Sequence, residues 1–200
     1  MKLRGIFVSA LLLAAVTLSS CAVSLTEKDG ALYDKKNGIT YVAAPLCYEP
    51  QKTLDEVYAK CGKLKLELYE IDGLDPDEWL SEKYEGIGGV WHSDGAELPD
   101  IDGFDADRMY ICVEQTKTIS LATVEDKEVI DALVKVFVDG ETSSLVQNGE
   151  SYKLKFESEK YPGLYYNLLY VIGPDGKNYV YDRETKRCVN VGDILKDYVS

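Results

Sequence analysis

The sequence predicts an α+β fold: mostly antiparallel sheet, two or three short helices, and one longer helix over about Glu125 to Val138. Three observations predict it. Lys63 to Tyr69 alternates strictly, with Leu64, Leu66 and Leu68 on one side and Lys63, Lys65, Glu67 and Tyr69 on the other, the pattern of a half-buried strand. Val129, Ile130, Leu133, Val134 and Phe137 recur at helical spacing and stop at Gly140. The chain beyond Tyr152 breaks into apolar runs joined by connections too short for parallel crossovers, so the strands there pair antiparallel.

Taken in order, the chain opens with Lys2 and Arg4, an apolar run from Ile6 to Leu18 interrupted by Ser9 and Thr17, and small residues leading to Cys21. That is the form of an export signal, and the run is shorter than the roughly 20 residues that span a bilayer. Leu18-Ser19-Ser20-Cys21 resembles the lipobox of bacterial lipoproteins. The resemblance covers the signal alone. It implies a diacylglyceryl thioether on Cys21, cleavage just before it (residues 1–20 removed), and a domain held by lipid at the extracytoplasmic face of a bacterial membrane. An ordinary secretory cut after Ala22-Val23-Ser24 is the alternative. Two or three acyl chains anchor a protein stably where one does so only reversibly, at about 0.8 kcal/mol per buried methylene.

Residues 21–30 are polar and without periodicity, which predicts a tether before one globular domain over 31–200. Leu32-Tyr33 and Ile39 to Val42 flank Asn37-Gly38, a hairpin signal. Thr53 with Glu56 has the form of a capping box, predicting a short helix over Leu54 to Lys60 that ends at Gly62. Asp75-Pro76-Asp77-Glu78 predicts another, carrying Trp79, Leu80, Lys83 and Tyr84 until Gly86-Ile87-Gly88-Gly89 breaks it. Residues 94–107 form an acidic loop, Arg108 to Glu114 and Thr118 to Ala122 read as strands, and a seam between two subdomains is placed near 115–120. Thr123 with Asp126 caps the longer helix. Tyr152 to Glu157, Leu164 to Ile172, Tyr179 to Tyr181 and Cys188 to Val191 read as strands, with Gly173-Pro174-Asp175-Gly176 as a turn and Asp193 to Tyr198 as a closing helical turn.

Charge excludes one class of partner. Without Lys2 and Arg4 the 22 basic residues become 20 against 35 acidic ones, a net charge of −15. A phosphate backbone is repelled by such a chain, so nucleic acid is not expected; nor is flat contact with anionic lipid.

Cys47, Cys61, Cys112 and Cys188 remain after lipidation of Cys21. Outside the cell four cysteines allow two disulfides in three pairings, and buried free thiols are the other reading. With a single histidine and no C-x-x-C, zinc is not expected. Asp100-Ile101-Asp102-Gly103 resembles the middle of a D-x-D-x-D-G calcium loop, which makes Asp100, Asp102 and Asp105 the metal candidates. Leu98 stands where the first aspartate belongs, and Phe104, Ala106 and Met109 take later ligand positions. No other cofactor is expected.

The expected role is a non-enzymatic binding module for an unknown envelope protein, peptide or glycan. Tyr165, Tyr166, Tyr170, Tyr179 and Tyr181, with Tyr161 beside them, form the candidate ligand surface, although alternation splits Tyr165 from Tyr166 and Tyr170. One rival is a surface hydrolase using His92 with Cys112 or Cys188, or using paired carboxylates. No nucleophile elbow or H-E-x-x-H motif supports it. The other rival is a regulatory or inhibitory lipoprotein docking on a second envelope protein through an exposed apolar patch.

Overall fold

A computed structural model describes residues 22–83, 89–114, 118–144 and 146–199. The signal segment, Cys21, Tyr84 and most of the glycine break lie outside the described residues, as does part of the expected seam. The chain forms β1 (Val23–Ser24), β2 (Thr26–Lys28), β3 (Ala31–Asp34), β4 (Ile39–Ala43), β5 (Tyr48–Pro50), β6 (Thr53–Cys61), β7 (Leu66–Ile71), β8 (Trp79–Ser81) and β9 (Val90–Ser93). There follow β10 (Arg108–Glu114), β11 (Thr118–Val124), α1 (Lys127–Asp139), β12 (Glu150–Glu157), β13 (Leu164–Ile172), β14 (Asn178–Tyr181) and β15 (Cys188–Asn190). The expected α+β class with several helices is therefore corrected: this is a two-sheet β fold with a single α-helix among the described residues.

The first sheet runs β1-β6-β7-β8-β9-β4-β3-β2. Its two edges, β1 and β2, are one stretch of chain separated only by Leu25. Val23 and Ser24 lie parallel to Ala59 and Lys60, the Leu25 amide donates to the Lys60 carbonyl at 2.8 Å, and Thr26 to Lys28 pair antiparallel with Tyr33 to Ala31. The sheet thus curls into a near-barrel that the amino-terminal strand closes. Inside it pack Leu25, Leu32, Tyr41, Ala59, Cys61, Leu68 and Leu80. Residues 23–28 are a structural strand, not the expected tether, because Leu25 needs burial and two strand edges need partners.

Both short helices expected in this half are strands. The segment from Thr53 to Cys61 pairs with β7, and Ala59 and Cys61 point into the barrel. A capping box is worth about 1 kcal/mol and loses to a bulged ladder along β7 with two residues buried. At Asp75 one turn does form: its carbonyl accepts from Glu78 and Trp79 amides at 3.0 and 2.8 Å. The turn does not propagate, because the next residues must be buried on opposite sides. Leu80 enters the barrel while Trp79 joins the larger core outside it, and a period of two demands a strand.

The second sheet runs β11-β10-β12-β13-β14-β15, with β5 added beside β13. One face carries Met109, Ile111, Val124, Leu154, Phe156, Leu164, Tyr166, Leu168, Tyr170, Val180 and Val189. Against it pack Ile130, Leu133, Val134 and Phe137 of α1, the loop residues Ile101, Phe104 and Ala106, and Ile71, Trp79 and Val90 from the barrel wall. The barrel and the sheet therefore share one core. The change of sheet falls in residues 94–107, not near 115–120, since Thr118–Val124 pairs with β10.

Helix α1 is capped by Asp126, whose carboxylate accepts from the Glu128 amide at 3.0 Å; the cap expected at Thr123 lies inside β11. Its far end is held by Arg187. That guanidinium donates to the carbonyls of Phe137 and Val138, each at 3.0 Å, and of Gly140 at 2.6 Å. A cation there meets the negative end of the helix dipole. The hairpin at Asn37-Gly38 forms as expected, with Gly38 at φ 73° and the Asp34 carboxylate accepting from Lys36 and Asn37 amides. Gly163, at φ 90°, opens β13 where a side chain would strike the Asp72 carbonyl.

Candidate functional site

Strand β13 has two partners along one edge. Leu164 to Tyr166 pair with β5 and Leu169 to Ile172 pair with β14. The two partners do not meet, and the gap between them beside Asn167 and Leu168 is a slot of about 320 Å³. Its apolar wall comes from Ala44, Pro45, Leu46, Val90 and Leu169, and its polar wall from Glu49, Glu114, Lys153, Asn167 and Arg183. The volume lies at the small end of ligand sites.

The polar wall belongs to the face of the sheet turned away from the core. Lys153 and Lys155 alternate with Tyr152, Leu154 and Phe156, so the sequence places them in water. The structure instead buries Lys155 to 5% exposure. Strand β5 causes this by carrying Glu49 into register opposite Tyr165, so that its carboxylate reaches both lysines. Lys153 pairs with Glu49 at 2.5 Å and with Glu114 at 2.7 Å, while Lys155 pairs with the other oxygen of Glu49. Glu114 leads on to Arg183 at 3.9 Å. The result is an alternating string, Arg183, Glu114, Lys153, Glu49, Lys155, that runs from half-exposed to buried.

Around the string, Tyr165 covers the Lys155 ammonium at 5.0 Å from its ring centre, and Tyr110 meets Tyr165 edge-on at 5.9 Å. Asn167 donates through Nδ2 to Glu49 at 3.1 Å, which fixes its orientation because a carboxylate only accepts. Its Oδ1 is left buried without a partner, a cost of about 1–3 kcal/mol where nothing compensates. The Asp182 carboxylate is committed to its own turn, accepting from the Glu184 amide at 2.8 Å and the Thr185 hydroxyl at 2.7 Å. Glu184 in turn accepts from the Leu46 amide at 3.1 Å, holding the rim together. Of these groups only Tyr165 was singled out from the sequence, as part of the tyrosine surface. The missing signal is the three-residue strand Tyr48–Pro50, too short to show a period and paired about 115 residues away.

The residues that were singled out do not converge. The expected disulfides are absent: Cys47, Cys61, Cys112 and Cys188 are all buried free thiols. Cys61 lies in the barrel, Cys47 beside the slot, Cys112 opposite Lys153, and Cys188 opposite Tyr181. Asp100, Asp102 and Asp105 do not gather into a calcium site. Asp100 accepts from the Gly103 amide at 2.8 Å and Asp105 pairs with Lys127 at 3.0 Å, because Ile101, Phe104 and Ala106 pull the loop into the core. Among the described residues no three His, Cys, Asp or Glu side chains are placed to hold a metal.

The tyrosine surface is likewise divided. Tyr166 and Tyr170 are in the main core, Tyr179 is buried on the opposite face with Val171 and Cys188, and Tyr165 and Tyr181 are half-buried there. His92 is a buried residue of β9 whose ring lies tilted against that of Trp79 at 5.9 Å. Its Nδ1 lies 2.7 Å from the Ser93 carbonyl and so donates. Cys112 and Cys188, its proposed nucleophiles, belong to the second sheet. Glu49 and Glu114, the two carboxylates nearest each other in function, both serve Lys153.

Beneath the slot, burial pushes the Cys47 thiol up to about 12 and raises the Tyr48 and Tyr166 hydroxyls well above their ordinary value, with Cys47 and Tyr166 hydrogen-bonded to each other. A thiol so raised is a poor nucleophile. It also makes the fold sensitive to alkali. Unfolded, these groups ionise near pH 9 to 10; folded, they stay neutral, so the stability they confer is complete below about pH 9 and is lost as pH rises through about 12. Urea unfolding at about pH 8 and about pH 11 is expected to show a large loss, and Tyr166→Phe a shallower decline between them.

Compared with known proteins, the chain matches no family model, no curated protein and no solved structure. Among the described residues no helix is long and apolar enough to cross a membrane.

Proposed function

We propose that this protein is an exported binding module, held at the extracytoplasmic face of a bacterial membrane by lipid on Cys21, and that the slot between β5 and β14 receives its ligand. The slot carries the reading: it is a concavity with one apolar and one charged wall, and its charges are fixed in place by partners on four strands. The reading is of a binder and not a catalyst, because the thiol that borders the slot is held protonated by burial and the histidine sits in the other sheet.

The closing strand supports the anchor. A cut after Ser24 would strip away Val23 and Ser24, which pair with Ala59 and Lys60, and would open the barrel; a cut before Cys21 leaves it whole. Ala22 alone separates Cys21 from Val23, a reach of at most about 7 Å over two chain steps, so the domain stands directly on the bilayer. Cys21→Ser is expected to move the protein from the membrane fraction to the soluble extracytoplasmic fraction while its thermal unfolding is unchanged. Equal membrane association of Cys21→Ser would refute the anchor.

A further inference from the structure

Glu114 occupies an unusual position at the slot. It is the one carboxylate between Lys153 and Arg183, 2.7 Å from the first and 3.9 Å from the second. It stands at the end of β10, and its side chain is 39% exposed, so it can swing out into water at the cost of its contacts with Lys153 and Arg183. The cations it bridges are not exhausted. Lys153 has three ammonium hydrogens and two carboxylate partners, Glu49 and Glu114, among the described residues, and it is almost fully withdrawn from water at 12% exposure. Arg183 offers five N–H donors and, among the described residues, has a loose contact to Glu114 at 3.9 Å. By contrast Glu49 is shared by Lys153, Lys155 and Asn167, and Asp182 is bound into its turn. Lys153 and Arg183 therefore keep donors to spare where the polar wall meets Leu46, Val90 and Leu169, beside the unpartnered Asn167 Oδ1.

We propose that the slot takes a small organic carboxylate with an apolar body, and that Glu114 is the internal stand-in the ligand displaces. This rests on the slot being the binding site. The carboxylate takes the place of the Glu114 head between the Lys153 ammonium and the Arg183 guanidinium, where a planar fork matches two oxygens. The body lies along Ala44, Pro45, Leu46 and Leu169, removing apolar surface from water on both sides. When Glu114 swings out it becomes solvated, and Lys153 keeps Glu49, so no buried charge is orphaned.

The test uses the mature lipidated protein in nanodiscs, with empty nanodiscs subtracted, and three probes of one body: phenylacetate, phenethylamine and phenethyl alcohol. Binding is read as shifts of the Leu46 and Leu169 amide signals. Phenylacetate is expected to bind best, Arg183→Ala to weaken it about tenfold or more, and Glu114→Gln to tighten it about tenfold by removing the competitor. Glu114 is exposed enough, and Arg183 peripheral enough, that both variants fold. Weaker binding in Glu114→Gln, or a preference for phenethylamine or the alcohol, overturns the carboxylate and leaves the slot as the binding site. No shift with any of the three probes overturns the slot itself.

Discussion

Glu49→Leu lowers the unfolding free energy by about 3–5 kcal/mol, the range for removing one partner of a buried ion pair. The loss arises because two lysine side chains, 7% and 12% exposed, keep their burial and lose the carboxylate they share. Lys153 retains Glu114, so its share of the penalty is reduced. The double variant Glu49→Leu with Lys155→Met should recover the greater part of it, since an apolar pair of similar volume needs no solvation. Urea unfolding of the two single variants and the double variant gives the coupling energy. A change within about 0.5 kcal/mol for Glu49→Leu would mean that water reaches the pair.

Leu25→Asp is expected to cost more than about 3 kcal/mol, because it places a carboxylate among Leu32, Tyr41, Leu68 and Leu80 with no cation inside the barrel among the described residues. Ser24→Asp, one residue earlier and exposed, should stay within about 0.5 kcal/mol. The contrast separates the inward side of the closing strand from its outward side. Equal effects would show that residues 23–28 are the flexible tether their polarity suggests.

How much of this was legible in the sequence depends on the reach of each interaction. The Asn37-Gly38 hairpin, the strands Arg108–Glu114 and Leu164–Ile172, and the one helix were readable because their patterns run for several residues and their partners lie next in the chain or on one face. Thr53–Cys61 and Trp79–Ser81 were misread because local capping chemistry resembles a helix start, while the burial of Ala59 and Cys61 in the barrel, and of Leu80 and Trp79 in two separate cores, shows only once those cores exist. The period of two in Val57, Ala59 and Cys61 was present and was outweighed by Thr53 and Glu56. The slot was invisible for a different reason. Lys153 and Lys155 look like an ordinary wet strand face until Glu49 is brought to them, and nothing near Tyr48-Glu49-Pro50 announces a strand.

The pairing of β5 with β13 joins Tyr48 to Tyr166 and Pro50 to Leu164. The excursion between β4 and β6 therefore has no ladder to join until the last quarter of the polypeptide has been made. Such distant pairing gives a high contact order, and the entropy of closing so large a loop must be met before any of its contacts form. A nascent amino-terminal half would stay incomplete, which suits the export proposed above, since an exported chain is threaded through a translocon extended and acquires its shape only on the far side.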